Sequence, residues 1–286
     1  RTITVSVADD DEAAGPTEFT LYHSTTGSSD VAYQTAVVDD VQVYVLDNDT
    51  ASVVLSSAQV TVSEAGDQAS YQLVLTGAPL SEISVAIATS GQIEASVSEL
   101  KFNASNWNVP QTVEVTAVDD SVAQGSHAGT VAHKATAADG SYANVSIGVV
   151  SVIVSDDDVA GIQLQTGELA ELEEGAVGVY EVALMSEPQQ DVTVSIVASD
   201  DLVVYTEELT FSADDWSEAQ NVVVIAKDNV TVDGNREVVV NHIVDSRDTT
   251  YDSLGVAEVR VTVIDNDTIV VPPLETLKIY LPLLFR

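Results

Sequence analysis

Apolar and polar residues alternate over most of this chain. Ala69–Leu75 (ASYQLVL), Ile83–Ile87, Thr112–Val118 and Val149–Val154 place aliphatic or aromatic residues at every second position. A period of two belongs to a strand with one buried face, because successive side chains leave a strand on opposite sides. The pattern returns at Val179–Leu184, Val192–Ile196, Val222–Ile225 and Val259–Ile264. Turn residues separate the runs roughly every 8–12 positions, the rhythm of a β-sandwich. Helical periodicity is nearly missing, and Asn103–Asn108 and Ser212–Ser217 predict one short turn each.

Three of the runs stop on acids. Val41–Asp49 (VQVYVLDND), Val150–Asp158 (VSVIVSDDD) and Val259–Asp267 (VRVTVIDND) lie 109 residues apart. A constant spacing of this kind is the mark of a repeat array. At that offset Glu64 meets Glu173, Tyr71 meets Tyr180, Trp107 meets Trp216, His133 meets His242 and Tyr142 meets Tyr251. The pattern predicts an all-β chain of tandem sandwiches in a rod. Residues 50–158 and 159–267 read as complete repeats, each long enough for its own core.

The ends depart from the period. Residues 1–49 match only the second half of a repeat: Thr2–Val5 falls on Thr112–Val115, Gly15 on Gly125, His23 on His133 and Tyr33 on Tyr142. About 60 residues, with the first three or four strands, have no counterpart there. Residues 268–286 belong to no repeat. Extended, they put Leu277, Ile279, Leu281 and Leu283 on one face and Lys278 and Tyr280 on the other. A half sandwich leaves an open sheet edge, and an apolar strand-like tail is a candidate to fill one.

Charge narrows the partners. Nine Lys and Arg stand against 46 Asp and Glu, a formal net charge of −37. Nucleic acid and anionic lipid need a basic footprint and are disfavoured; divalent cations, which hold carboxylates together, are favoured. With 45% hydrophobic residues in strict alternation the chain is not a disordered acidic tail. It has no Cys, so neither disulfides nor a thiolate site can be built. The most apolar stretch, Ile269–Phe285, is interrupted by Pro272, Pro273, Glu275, Lys278 and Pro282, and does not read as a membrane-spanning helix. The chain starts at Arg1 with no signal peptide, as expected of a processed or excised piece.

Ser63-Glu64-Ala65-Gly66, Glu173-Glu174-Gly175, Leu100-Lys101-Phe102 with Asn106-Trp107, Val118-Asp119-Asp120 and Asp156-Asp157-Asp158 together resemble the Calx-β family and its relatives in bacterial surface proteins. The likeness runs from Thr2 to Asp267. It implies a seven-stranded immunoglobulin-like sandwich with Ca²⁺ held at one pole by an early Glu, mid-domain acids and the terminal Asp triplet. Carried over by position, the ligands are Glu64, Asp119, Asp120, Asp156, Asp157 and Asp158 in repeat two. In repeat three they are Glu173, Asp200, Asp201, Asp228, Asp265 and Asp267. The sets differ: Gly91-Gln92 replaces Asp200-Asp201, Gln124 stands where repeat three has Asp233, and Asn48 and Asn266 replace the middle Asp. The competing reading is that Asp and Asn punctuate turns.

No motif points to catalysis: there is no Gly-rich phosphate loop, nucleophile elbow or His-Glu-x-x-His. The aligned His23, His133 and His242 have no second His or Cys at ligand spacing, so a structural role is expected. Trp107 and Trp216 read as core or corner residues, with sugar stacking as the alternative. Tyr33, Tyr142 and Tyr251 read as loop-to-sheet corners. The expected function is that of an extracellular bacterial surface filament subunit and not an enzyme. Its copies assemble head-to-tail, the tail of one completing the half sandwich of the next. Tyr280-Leu281-Pro282-Leu283 also looks like the short terminal tails of some filamentous surface proteins. The alternative is a calcium-stiffened adhesin stalk or binding module gripping carbohydrate or a host protein through loops 88–96 and 197–205, with other surface proteins as further candidate partners.

Overall fold

The structure is a computed structural model and describes residues 2–25, 27–138, 140–167 and 169–269. Leu277, Ile279, Leu281 and Leu283 lie outside the described residues. The chain forms two compact units, one of residues 1–120 and 124–157, the other of 121–123 and 158–286.

Near the N-terminus β1 (Thr17–Leu21) and β2 (Val41–Val45) flank a single helical turn, α1 (Val31–Gln34), and pair as a two-stranded antiparallel sheet. Repeat two opens with β3 (Val53–Leu55), β4 (Gln59–Ser63), β5 (Ala69–Leu75), β6 (Ile83–Ser90), β7 (Ile93–Ala95) and β8 (Glu99–Phe102). It closes with β9 (Gln111–Ala117), β10 (His127–Ala137) and β11 (Val150–Ser155). Repeat three runs β12 (Ile162–Gln165), β13 (Glu171–Glu173), β14 (Val177–Leu184), β15 (Val192–Ala198), β16 (Leu202–Val204), β17 (Glu208–Phe211), β18 (Gln220–Ala226), β19 (Arg236–Ser246) and β20 (Val259–Ile264).

Each complete repeat is a sandwich of a five-stranded and a four-stranded sheet: β4-β11-β10-β6-β8 over β3-β5-β9-β7, and β13-β20-β19-β15-β17 over β12-β14-β18-β16. Nine strands appear where the resemblance implied seven. The first strand divides: β3 pairs antiparallel with β5, then the chain changes sheet and β4 runs parallel to β11. The short β7 adds the other.

Alternation translates directly into two cores. Leu73, Ile83, Val85, Phe102, Val113, Val150 and Val152 are fully buried in repeat two, as are Val182, Val192, Phe211, Val222, Val240 and Val261 in repeat three. Each such aliphatic side chain contributes about 1.5–3 kcal/mol relative to exposure. Trp107 and Trp216 pack against the cores, and their carbonyls accept from the backbone N–H of Leu75 and Leu184. They are structural residues.

Two polar ties cross each sandwich. Tyr71, on the four-stranded sheet, reaches His133 on the other, with hydroxyl and Nε2 2.7 Å apart. His133 Nδ1 faces the Gly148 carbonyl at 2.8 Å. A carbonyl only accepts, so Nδ1 carries the proton and Nε2 accepts from the tyrosine. Tyr180 and His242 repeat the 2.7 Å contact. Burial raises both tyrosines, Tyr71 to about 12, and lowers both histidines. In the second tie Tyr142 donates to the Gly77 carbonyl, and Tyr251 to that of Ser186, each at 2.7 Å.

Among the described residues of 2–49 neither such a core nor such ties form. The strands that bury their counterparts number six in repeat two, β3 to β8, and not the three or four expected. Val150, Val152 and Val154 have 0% exposure; the equivalent Val41 has 48%, and Val43 and Val45 are half-buried. Val113 and Val115 have 0%, while Ile3 and Val5 have 78% and 51%. His23 is exposed and Tyr33 is 62% exposed, and among the described residues neither side chain has the partner of its counterparts. The strand itself is cut short. In β10 residues His127–Val131 pair with β11 and Thr130–Ala137 with β6. The residues equivalent to the first group form β1, which ends at Leu21. Residues 22–25 and 27, equivalent to its second half, are not strand.

One contact does anchor this segment. Ala78 N–H donates to the Asp11 carbonyl at 2.7 Å, Ala13 N–H donates to the Ala78 carbonyl at 3.2 Å, and Ala13 is buried in the repeat-two core. Residues 121–123, grouped with the second unit, make the matching bond, Glu187 N–H to the Ser121 carbonyl at 2.7 Å.

The tyrosine–histidine ties predict a pH dependence. Protonating the imidazole sets a second donor against the tyrosine O–H. The folded pKa lies below the ordinary 6.5, so the contribution to stability is complete above that value and is lost as pH falls through the lowered one. Between about pH 7 and 5 the urea midpoint of the native chain falls further than that of a His133→Gln, His242→Gln variant. Equal slopes in the two proteins would dismiss the histidines as the source.

Candidate metal-binding poles

The first acid of each terminal triplet is a turn pin. Asp47 Oδ2 accepts from Gly15 N–H and Asp265 Oδ2 from Gly234 N–H, both at 2.6 Å, and Asp156 Oδ2 accepts from Gly125 N–H. These glycines have φ of +78°, +82° and +70°, a region that L side chains avoid. Asp47 and Asp265 also accept, at 2.8 Å, the N–H two residues on. Backbone donation holds both carboxyls below their usual range; for Asp47 the largest cause is Asp49 N–H, for Asp265 it is Gly234 N–H. The turn-punctuation reading therefore holds for this position.

The last acid behaves oppositely. Burial raises Asp267, and the nearby charges of Glu174, Asp265, Asp228 and Asp233 raise it further. Burial likewise raises Asp49, reinforced by Asp47, Asp11, Asp9 and Asp10. Strand ends thus gather several carboxylates at one pole.

In repeat three the group that converges is Glu174, Asp265 and Asp267, each offering an oxygen within 4.8 Å of the others. Glu173 was expected in this place, and the structure corrects it to Glu174. The offset slips by one residue here. Val62 pairs with Val154 and Leu172 with Val263, so Glu64 and Glu174, each two residues beyond, point inward together. Glu64 N–H donates to the Ser155 carbonyl and Glu174 N–H to that of Ile264, confirming the match. Glu173 faces solvent, as a one-residue shift in a strand requires. The signal was present in the alternation Leu172-Glu173-Glu174, which outranks a constant offset.

Of the other candidates in repeat three, Asp200 and Asp228 are exposed, and Asp201 is half-buried and lies 3.3 Å from Arg236 Nε. Arg236 escaped the sequence reading. Its guanidinium pairs with Glu174 Oε1 at 2.7 Å and with Asp233, and Asn229 Nδ2 donates to the same Glu174 oxygen at 2.8 Å. These acids hold the guanidinium above its ordinary pKa, the Glu174 hydrogen bond most of all.

Repeat two solves the same geometry with other residues. Glu64 is 5% exposed, and Glu64, Asp157 and the adjoining Asp158 offer oxygens within 4.8 Å. Asp119 is exposed. Asp120 accepts from the Gln92 amide, and Gln124 Nε2 donates to Gln92 Oε1 at 2.8 Å. His127 occupies the place of Arg236, with Nε2 4.0 Å from Glu64 Oε1. Repeat two thus has amides at 92 and 124 and an imidazole at 127, where repeat three has carboxylates at 201 and 233 and a guanidinium at 236. Setting Arg236 against Glu174, Asp201 and Asp233 leaves two carboxylates in excess, the same number as Glu64 with Asp120.

The donors suit a hard divalent cation. All are oxygens, and Ca²⁺ with oxygens at about 2.3–2.6 Å keeps its ligands within roughly 5 Å of one another. Glu174 Oε2 and Asp267 Oδ2 are buried and accept no hydrogen bond among the described residues, which a bound cation would remedy. Glu174, Asp265 and Asp267 would hold it in repeat three, and Glu64, Asp157 and Asp158 in repeat two.

No family model matches this chain, and no curated protein matches it. Among solved structures, the CBD12 crystal structure from CALX1.2 is 16% identical, with 69% of this chain and 83% of that one covered at a TM-score of 0.30. The apo Calx CBD1 domain is 18% identical, covering 38% of this chain and all 100% of its own at 0.29. The CsuC–CsuE chaperone–tip adhesin complex of Acinetobacter baumannii is 10% identical, covering 75% and 99% at 0.29. Likenesses this low carry no functional argument; the β-sandwich assignment rests on the sheets themselves.

Removing the internal cation tests the site. Arg236→Gln leaves Glu174, Asp201 and Asp233 without their guanidinium. Calcium affinity at repeat three then rises roughly tenfold in calorimetric titration, and the metal-free protein melts earlier. An unchanged affinity would show that guanidinium and metal do not share these carboxylates.

Proposed function

We propose that this protein is a structural subunit of a cell-surface fibre, outside the cytoplasm, whose acid poles bind Ca²⁺ and whose half sandwich is completed by strand addition from another copy. The observation that carries the reading is the contrast between equivalent positions. Val150 and Val113 have 0% exposure, and Val41 and Ile3 have 48% and 78%. An isolated two-stranded ribbon is marginal in water, and an apolar sheet face left open is a pairing surface. Each aliphatic side chain withdrawn from water contributes about 1.5–3 kcal/mol, so covering a handful offsets an ordering cost of similar size for one extended strand.

The tail is suited to the task by pattern and by charge. Leu277-Lys278-Ile279-Tyr280-Leu281 sets aliphatic residues at every second position, and residues 270–286 carry Lys278 and Arg286 against the single acid Glu275. Residues 2–49 carry ten acids and no Lys or Arg. A strand from one copy into the next is a head-to-tail contact, which propagates into a fibre. One strand restores one of six, so the rest of the apolar face packs on the body of the donor copy.

Deleting residues 270–286 tests this directly. The native chain sediments as assemblies and forms fibres in electron micrographs; the deletion leaves dispersed single chains with unchanged melting of the two complete sandwiches. Fibres of ordinary length from the deleted chain would refute strand addition. Removing Ca²⁺ with a chelator lowers the melting temperature of the complete repeats without dissolving the strand contact.

A further inference from the structure

We infer that the outer face of the four-stranded sheet of repeat three binds a second copy of this chain, the two faces packing on each other about a two-fold axis that crosses the strands. The inference does not depend on strand addition and concerns a different part of the molecule.

The face is read from the register. Val177 of β14 pairs with Ile225 of β18, and Val179 with Val223. On the other side of β18, Val203 of β16 pairs with Ile225, and Tyr205 N–H donates to the Val223 carbonyl at 2.9 Å. Val177, Ile225 and Val203 thus form one row across three strands, and Val179, Val223 and Tyr205 form the next. All six stand away from the core. The residues between them, Tyr180, Leu202, Val222 and Val224, are buried, while Val177, Val179, Val203 and Tyr205 are exposed and Val223 and Ile225 half-buried. Single exposed aliphatics are ordinary on a protein surface, whereas a contiguous apolar block marks a contact.

Repeat two shows that the fold does not require the block. Its equivalent positions hold Gln68, Ser70, Glu94, Ser96, Glu114 and Thr116. The backbone is the same: Ser70 pairs with Glu114, Glu94 with Thr116, and Ser96 N–H donates to the Glu114 carbonyl at 2.9 Å. Six polar residues on one sandwich and six apolar ones on the other make the block a surface for something outside the sandwich.

Shape, charge and area select a second copy. A flat apolar sheet face is matched by another such face stacked about 10 Å away, and a two-fold contact supplies one from the same chain. Among the described residues of the complete repeats, no other outward sheet face sets six such side chains together. No charge stands inside the block, and its ends differ in sign. Glu181 lies beside Asn221 past one row, and the exposed Lys227 follows Ile225 past the other, its Nζ donating to the Asp200 carbonyl. An axis that crosses the strands lays each Ile225 row on the partner's Val223 row and brings each Lys227 to the other copy's Glu181 end. An axis along the strands would set Lys227 against Lys227. Three strands about 4.8 Å apart, with two outward positions about 6.8 Å apart, cover roughly 200 Å² on each copy. A stable complex buries about 800 Å² per partner. Free chains therefore pair weakly, and copies already held side by side pair firmly.

The test gives the full-length chain the residues that repeat two carries, Val203→Glu, Tyr205→Ser and Val223→Glu. Repeat two folds with them at the same positions, and unchanged thermal melting shows that the variant folds too. In sedimentation equilibrium the native chain pairs with a dissociation constant of roughly 0.1–1 mM, and the variant at least tenfold more weakly. Added salt strengthens the native pairing, because it screens the repulsion between two acidic chains. Val179→Ser alone gives a smaller loss in the same direction. Where fibres form, native ones lie side by side and variant ones stay single at the same length. Equal association of native chain and variant, no pairing of the native chain up to about 1 mM, or pairing that weakens with salt as contact with a basic surface would, each overturns the inference. Absence of fibres removes strand addition alone, and the sedimentation comparison still decides the two-fold contact.

Discussion

A β-sheet face stays dry only if a second sheet lies on it, and a strand stays a strand only if an edge is offered to it. Everything in this molecule follows from how far that demand is met. Repeats two and three meet it with nine strands each, and the inward-facing residues of those strands, Ile83, Val113 and Tyr180 among them, vanish from solvent. Residues 2–49 carry the same alternation without the opposing sheet. Their sheet shrinks to two strands of five residues, and their apolar positions stay wet. Identical patterns with opposite burial show that alternation supplies the capacity for a core, while neighbouring strands decide whether there is one.

The fold was largely legible because strand burial has a period of two and the repeats restate it. Ala69–Leu75 and Val259–Ile264 emerge as strands with the expected bounds. The longest strands, His127–Ala137 and Arg236–Ser246, were not read as such, because small and polar residues interrupt their apolar pattern. The candidate site was legible only in outline. Acid triplets advertise the pole, yet the sequence does not distinguish an acid that pins a glycine turn, such as Asp265, from one that is buried beside other carboxylates, such as Asp267. A constant offset points to Glu173 and not Glu174 because the connection before this strand is one residue longer in repeat three. Arg236 was overlooked because its partners, Asp201 and Asp233, lie far from it or are unremarkable in sequence, and only the strand ends bring them together.

The poles also show how one backbone tolerates two chemistries. A carboxylate withdrawn from water requires either a cation or a hydrogen-bond donor. Repeat three meets this with a guanidinium among three acids. Repeat two replaces two of those acids by amides, donates from Gln92 to Asp120, and leaves an imidazole where the guanidinium stands. Both solutions use the same strand ends, so the difference resides in side chains alone.

That difference makes each pole a matched set whose members sit on separate strands and loops, at positions 64, 92, 120, 124 and 127 in one repeat and 174, 201, 229, 233 and 236 in the other. Recombination between the repeats that exchanged a single loop would break the set. Moving Asp233 into repeat two would bring a carboxylate to a pole that has no guanidinium to receive it. Moving Gln124 into repeat three would strip Arg236 of a partner. The pairing survives such an exchange only when the whole cluster travels together, so the repeat, rather than the loop, is the smallest unit that carries a complete pole.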